Sequence, residues 1–170
     1  PDSGQKTYPR EETEAFDYHR TFIAFGDSIT AGKMKTETLP NGYYPQLAYP
    51  CKTELILERQ YSDIRHRALG VPGEDTYEAT FRIQQALEEN DGKYFFYLEG
   101  TNDVWIHTFS VDSSLENIEY NIDTALADQR SVVMATVPPR KLPVIAMKNI
   151  RELNRGIRRM AARKKLPCIE

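Results

Sequence analysis

Four times along this chain a short apolar run gives way to a stripe at helical spacing. Thr21-Phe22-Ile23-Ala24-Phe25-Gly26 is a compact apolar run closed by glycine, which predicts a buried strand. A helical region follows, with Leu47, Cys51 and Leu55 four residues apart and Pro50 marking a kink or a helix start. Ile64 to Leu69 predicts a second strand, interrupted by Arg65, His66 and Arg67. Ala79, Ile83, Ala86 and Leu87 then fall on one helical face, with Asp75 or Thr76 as the candidate cap. Lys93 to Leu98 is an aromatic third strand. Leu115, Ile118, Ile122, Ala125 and Leu126 form the next helical stripe. Ser131 to Val137 is a fourth strand, stopped by Pro138-Pro139. Ile150, Leu153, Ile157 and Met160 mark a long last helix, and Leu166-Pro167-Cys168-Ile169-Glu170 opens a fifth strand.

Short apolar strands alternating with helices predict an α/β domain, a parallel sheet covered by helices on both faces and joined by right-handed crossovers. The 170 residues suit one domain, with no repeat and no low-complexity tract. Residues 1–20 are polar and contain Pro1, Gly4 and Pro9, so they read as an N-terminal leader segment ahead of a domain spanning 21–170. Hydrophobic residues make up 40%, enough for a core, and 28% are charged with a net charge of -3. The charged runs, such as Arg163-Lys164-Lys165 and Arg10-Glu11-Glu12, are short, and the basic stretch from Lys148 to Lys165 lies on a helical pattern as a solvated face. Phosphate binding needs a concentrated basic face, so nucleic acid is not an expected partner. No apolar run approaches a membrane span. The chain begins at Pro1 rather than Met, as a cleaved signal peptide or an engineered fragment would leave it; the expectation is export, with oligomeric state open. Cys51 and Cys168 lack metal or redox spacing and read as free thiols, or as one disulfide in an exported protein.

In an open parallel sheet, ligands bind beyond the C-terminal ends of the strands. Three loops there carry glycines together with polar groups suited to chemistry. Strand one is followed by Gly26-Asp27-Ser28-Ile29-Thr30, strand two by Gly70-Val71-Pro72-Gly73-Glu74-Asp75-Thr76, and strand three by Gly100-Thr101-Asn102-Asp103. Ser28 is placed as a nucleophile where a strand turns into a helix, whose free N–H groups would face an oxyanion; its bland role is a helix N-cap. Asn102 offers an amide N–H to a developing oxyanion, against a simple turn role. Gly73 presents a bare backbone N–H, against a turn glycine after Pro72.

Taken together these loops resemble the SGNH hydrolases, or GDSL esterases and lipases. Gly26-Asp27-Ser28 resembles the nucleophile block, Gly70 to Thr76 the second block with Gly73 at the oxyanion position, and Gly100-Thr101-Asn102-Asp103 the third block with Asn102 as the other donor. Val132 to Pro139 resembles the family's apolar strand followed by prolines. The resemblance implies a three-layer α/β/α, flavodoxin-like sheet of order 2-1-3-4-5, which sets strands two, one and three side by side. It also implies a serine ester hydrolase working through an acyl-enzyme on Ser28, without metal or organic cofactor, on a small-molecule or carbohydrate ester. The family's Asp-x-x-His block, source of the general base, has no counterpart after the fifth strand. The expectation is therefore a chain cut short at the C-terminus, with the histidine beyond Glu170. His19, His66 and His107 do not match that position; His66 reads as structural, and His107 as a residue able to face the cleft. Trp105, Phe109 and Tyr43 are candidate liners of an acyl or sugar site, or plain core and rim aromatics. No stretch reads as a long acyl-chain lid, which favours short acyl groups. Two other classes remain: a non-catalytic carbohydrate-binding module on this scaffold, and a flavodoxin-like nucleotide binder, against which stands the lack of a glycine-rich phosphate loop.

Overall fold

The computed structural model describes residues 17–106, 110–138 and 144–170. Residues 1–16 of the expected leader, and Pro139, lie outside them. β1 (Thr21–Gly26) runs through the centre of the sheet. Two short strands follow, β2 (Lys33–Met34) and β3 (Gly42–Tyr43), paired antiparallel as a separate ribbon. Next come α1 (Tyr49–Leu57), β4 (Arg65–Gly70), α2 (Thr76–Glu89) and β5 (Tyr94–Leu98). The chain continues through α3 (Thr101–Ile106), α4 (Val111–Ala127), β6 (Ser131–Ala135), α5 (Val144–Lys164) and β7 (Cys168–Ile169).

The five-stranded sheet has the order β4-β1-β5-β6-β7, and every pairing in it is parallel. In order of the sheet strands along the chain this is 2-1-3-4-5, as the resemblance implied. Period-two alternation divides the side chains between the faces. Ile23 and Phe25, Phe95 and Tyr97, and Val132 and Met134 share one face and meet Ile83 of α2, Ile118 and Ile122 of α4, and Leu153 and Ile157 of α5. Full burial of side chains of this size is worth about 1.5–3 kcal/mol each, so this face supplies most of the fold's stability. On the other face the Phe22 ring stacks on Phe96 at 4.9 Å and on His66 at 5.8 Å. There α1 packs against β4, and Glu54 holds His66 Nδ1 at 2.5 Å. His66 is thus a satisfied structural side chain.

Three of the helices show why their sequences start where they do. Asp75 accepts from the Glu78 backbone N–H at 2.9 Å, and the Glu78 carboxylate accepts from the Asp75 N–H at 3.3 Å, a reciprocal cap that fixes the entry into α2. Ser110 caps α4. Pro50 stands in the first turn of α1, so it starts that helix rather than kinking it. The expected stripe on α1 is only partly realised. Cys51 is half-buried, while Leu55 and Leu47, which lies in the turn before α1, face solvent; α1 packs on the sheet chiefly at its β4 edge. Both cysteines are free thiols. They sit at opposite ends of the architecture, Cys51 on the helix beside edge strand β4 and Cys168 in the other edge strand, β7. Among the described residues no helix is long and apolar enough to cross a membrane.

Candidate active site

The three loops carrying Ser28, Gly73 and Asn102 leave the C-terminal ends of β1, β4 and β5, which are neighbours in the sheet. Glycine makes this convergence possible. A Cβ on Gly26 would lie 2.4 Å from the Leu98 carbonyl oxygen, and one on Gly70 would lie 2.2 Å from the Ala31 backbone nitrogen. The turn after β1 therefore rests directly on the end of β4, and the Val71 N–H donates to the Gly26 carbonyl at 2.8 Å.

Ser28 is half-buried in a tight series of turns over 27–32. The expected helix N-terminus is absent, and with it the N-cap alternative. Lys33 N–H donates back to the Ser28 carbonyl at 2.7 Å, Gly32 takes φ +85°, and the chain is sent into β2 instead of a helix. α1 begins only at Tyr49. Asp27 is fully buried and its Oδ1 accepts from the Ile29 N–H at 2.8 Å, which fixes the backbone around Ser28.

Gly73 is exposed, and a Cβ there would meet nothing within 4 Å. Its φ of +88° is the reason for glycine. Asn102 is half-buried in the first turn of α3, so the alternative of a simple turn residue does not hold. Its Nδ2 donates to the Glu74 carbonyl at 2.6 Å, linking the third loop to the second. Asp103, buried beside it, accepts from the Thr76 N–H at 3.1 Å and from the Thr76 hydroxyl, and Asn117 donates to that hydroxyl at 3.2 Å.

Beneath the loops lies a set of ionisable groups that sequence reasoning passed over. Glu74 is 5% exposed and is gripped by Arg82 of α2, which donates from Nε at 2.8 Å and from Nη2. The Arg82 guanidinium lies over the Phe25 ring at 3.9 Å. Glu99 is 1% exposed, and neither of its oxygens receives a hydrogen bond among the described residues. Burial, with Asp27 and Glu74 close by, holds its carboxyl well above the usual carboxylate range. The buried Tyr49 phenol, which accepts from Thr30 at 3.4 Å, is pushed up chiefly by burial, as is that of Tyr97. The sequence carried a faint signal of this cluster. An acid closes an apolar strand at Leu98-Glu99, and an arginine sits beside Ile83 near the buried stripe of α2.

The described histidines stand away from this edge. His19 lies in the turn entering β1, at the opposite end of the sheet. The run Asp63-Ile64-Arg65-His66 has the spacing of an acid–base block, but Asp63 pairs with Arg20 at 3.4 Å and His66 with Glu54. His107 and Phe109 lie outside the described residues, as does the side chain of Trp105. Tyr43 is exposed in β3, with the Lys33 ammonium 4.7 Å from its ring centroid. A cavity of about 640 Å³ lies at the far end of the sheet, lined by His19, Phe22, Tyr61, Tyr94 and Phe96 among others, and holds none of the three candidate residues. Among the described residues no three His, Cys, Asp or Glu side chains gather as metal ligands would.

This architecture defines the class: a parallel α/β/α domain of the SGNH hydrolase fold, with glycine-lined loops at the C-terminal edge. The esterase AlinE4 superposes with a TM-score of 0.73 at 21% identity, covering 89% of this chain and 75% of that one. The lipase/acylhydrolase from Enterococcus faecalis matches with a TM-score of 0.73 at 23% identity, over 89% and 75%. Est24, a carbohydrate acetylesterase from Sinorhizobium meliloti, matches with a TM-score of 0.72 at 17% identity, over 88% and 83%. A comparison with curated protein sequences gives no match. Residues 24–170 match the GDSL-like lipase/acylhydrolase family, and the chain belongs to that family. By that membership it is a carboxylic ester hydrolase.

Proposed function

We propose that this chain cleaves carboxylic esters of short acyl groups through an acyl-enzyme on Ser28. In this reading the Ser28 hydroxyl attacks the ester carbonyl. The backbone N–H groups of Ser28 and Gly73 and the side chain of Asn102 hold the oxyanion, and water then releases the acyl group. The observation that carries the reading is the junction of the three loops. They leave adjacent strands, and the Asn102 amide bridges from the third loop to the second at 2.6 Å. The family resemblance places the base in a histidine after the fifth strand; of the described histidines, His66 is engaged by Glu54 and His19 is at the opposite end of the sheet. The short-acyl preference rests on a sequence with no stretch resembling a lid, and Est24, named as a carbohydrate acetylesterase, offers a substrate class to try first.

The experiment is fluorophosphonate labelling with peptide mapping, beside hydrolysis of p-nitrophenyl esters of increasing chain length. Labelling at Ser28, lost in Ser28→Ala, with acetate turned over faster than long chains, is the expected result. Esterase activity that survives Ser28→Ala overturns the mechanism; faster turnover of long chains overturns the acyl preference. Binding of acetylated oligosaccharide with neither labelling nor turnover would favour the non-catalytic module.

A further inference from the structure

Four ionisable side chains meet under the three loops, each acid belonging to a different loop. Asp27 directly precedes Ser28, Glu74 directly follows Gly73, and Glu99 lies three positions before Asn102. All three are buried. Among the described residues the cation that faces them is Arg82, whose Nε and Nη2 both donate to Glu74. Glu99 is left facing the Glu74 carboxyl at hydrogen-bonding range with no donor of its own. A carboxylate in that position would be desolvated, unpaired and beside two other acids, an arrangement that disfavours the charged form. A neutral carboxylic acid there has an O–H to give, and the acceptor within range is the Glu74 carboxylate.

We propose that Glu99 is a positioning residue: as a neutral acid it donates a hydrogen bond to Glu74, and the Glu99–Glu74–Arg82 assembly holds the second and third loops at the spacing that aims the Asn102 amide. The connection is short. The same Glu74 whose side chain Arg82 grips also accepts the Asn102 Nδ2 through its backbone carbonyl. One proton on Glu99 therefore bears on the geometry of the oxyanion donor without touching substrate. When that proton leaves, Glu99 and Glu74 repel, with Arg82 able to balance only one of them. The groups facing Glu99 are Asp27 after β1, Glu74 and Arg82 from the second loop and α2, the Tyr97 phenol on β5 itself, and the Tyr49 phenol of α1. Asp103 of α3 bears on Tyr97 from the same side. Of these only Arg82 is cationic, so every other ionisation in the cluster favours keeping the proton. That the aimed amide serves an oxyanion rests on the esterase reading; the proton itself does not.

The test uses the full chain as wild type, Glu99→Gln and Glu74→Gln, with three readouts against pH: the infrared carbonyl band of a neutral buried carboxylic acid, the NMR signals of the Asn102 side-chain amide, and the rate of Ser28 phosphonylation. The wild type is expected to show the acid band at neutral pH, and Glu99→Gln to lack it. As pH rises, the Asn102 signals shift and the labelling rate falls in the same interval, and both changes vanish in Glu99→Gln. That variant keeps the neutral-pH rate within about threefold, since Gln can still donate to Glu74. Glu74→Gln is expected to lower the pH at which the acid band disappears, which keeps the proposal testable if Glu99→Gln misfolds. An acid band that persists in Glu99→Gln, or Asn102 signals that titrate alike in wild type and variant, overturns the proposal. If Ser28 is never labelled, the esterase reading fails, while the band and the amide signals still decide the state of Glu99.

Discussion

Replacing Asn102 by Ala separates its observed structural contact from its proposed catalytic role. A carboxamide carries two N–H donors. One is committed to the Glu74 carbonyl at 2.6 Å, a contact that ties the first turn of α3 to the loop between β4 and α2. Its loss removes one part-buried hydrogen bond, about 1 kcal/mol net. For a domain of this size that lowers Tm by roughly 2–4 °C. The other role, the proposed one, is at the oxyanion. Removing one such donor costs about 3 kcal/mol in the transition state, or about 10²–10³ in kcat. The two effects therefore differ in kind as well as size: a modest fall in Tm, and a large fall in kcat with little change in KM, because the interaction strengthens only as negative charge develops. Asn102→Asp sharpens the comparison. It is nearly isosteric, but as an acceptor it faces the Glu74 carbonyl and repels an oxyanion, so it is expected to be at least as slow as Asn102→Ala.

The assay pairs steady-state hydrolysis of a short-chain p-nitrophenyl ester with thermal unfolding of the same preparations. A kcat reduced less than about fivefold in a variant whose Tm falls as expected would refute the reasoning, since a loss below about 1 kcal/mol is all that a merely structural hydrogen bond accounts for. A rise in KM at constant kcat would equally refute it, by making Asn102 a ground-state binder.

Other substitutions test the frame around the site. Leu153→Ala empties a fully buried position where α5 meets the sheet; it is expected to destabilise by about 2–5 kcal/mol in urea unfolding at unchanged m-value. Asp75→Ala removes a cap that satisfies the Glu78 N–H, with an expected loss of about 1 kcal/mol by the same measurement. The pH dependence of stability follows from the sign of the Glu99 shift. Its carboxyl titrates higher in the fold than in the unfolded chain, so between those two values the native state holds the extra proton. Stability from this group therefore falls as pH rises from the ordinary carboxylate range towards the native value, by at most about 1.4 kcal/mol per pH unit. Tm measured against pH is expected to fall more steeply in wild type than in Glu99→Gln; parallel curves would mean that Glu99 is not the group responsible.

The middle of the sheet was readable because β1 is buried on both sides and β5 nearly so, and they appear as unbroken apolar runs, Phe22 to Phe25 and Phe95 to Leu98. The helices α2, α4 and α5 were readable because their stripes face one continuous core. What escaped notice lacked a period long enough to detect. β2 and β3 are two residues each, α3 is six, and the turn over 27–32 owes its shape to Gly32 and to tertiary contact with β4. α1 misled in a different way, since its apolar residues exceed the sheet surface it covers. Ser28, Gly73 and Asn102 could be named as candidates because glycine and turn residues mark the strand ends that carry them. The pairing of Arg82 with Glu74 spans only eight residues but has no period to mark it, and the approach of Glu99 to Asp27 and Glu74 arises only when β1, β4 and β5 are laid side by side.

That pairing bears on what the polar cluster contributes. A buried ion pair is weak support for stability, and apolar residues of similar volume often do as well or better. Phe25, Ala79 and Ile83 show that the surrounding positions are otherwise packed as ordinary core. On stability grounds alone, a leucine at Glu99 would remove a buried polar group that sits beside two other acids and receives no hydrogen bond among the described residues. An apolar side chain there would leave the fold intact and delete only the hydrogen bond to Glu74. Glu99→Leu is thus expected to unfold at a Tm equal to or above that of wild type while lowering kcat, because Glu74 then loses one of the partners that fix its backbone carbonyl under Asn102. A variant both more stable and equally fast would mean that Arg82 alone suffices to hold the loop.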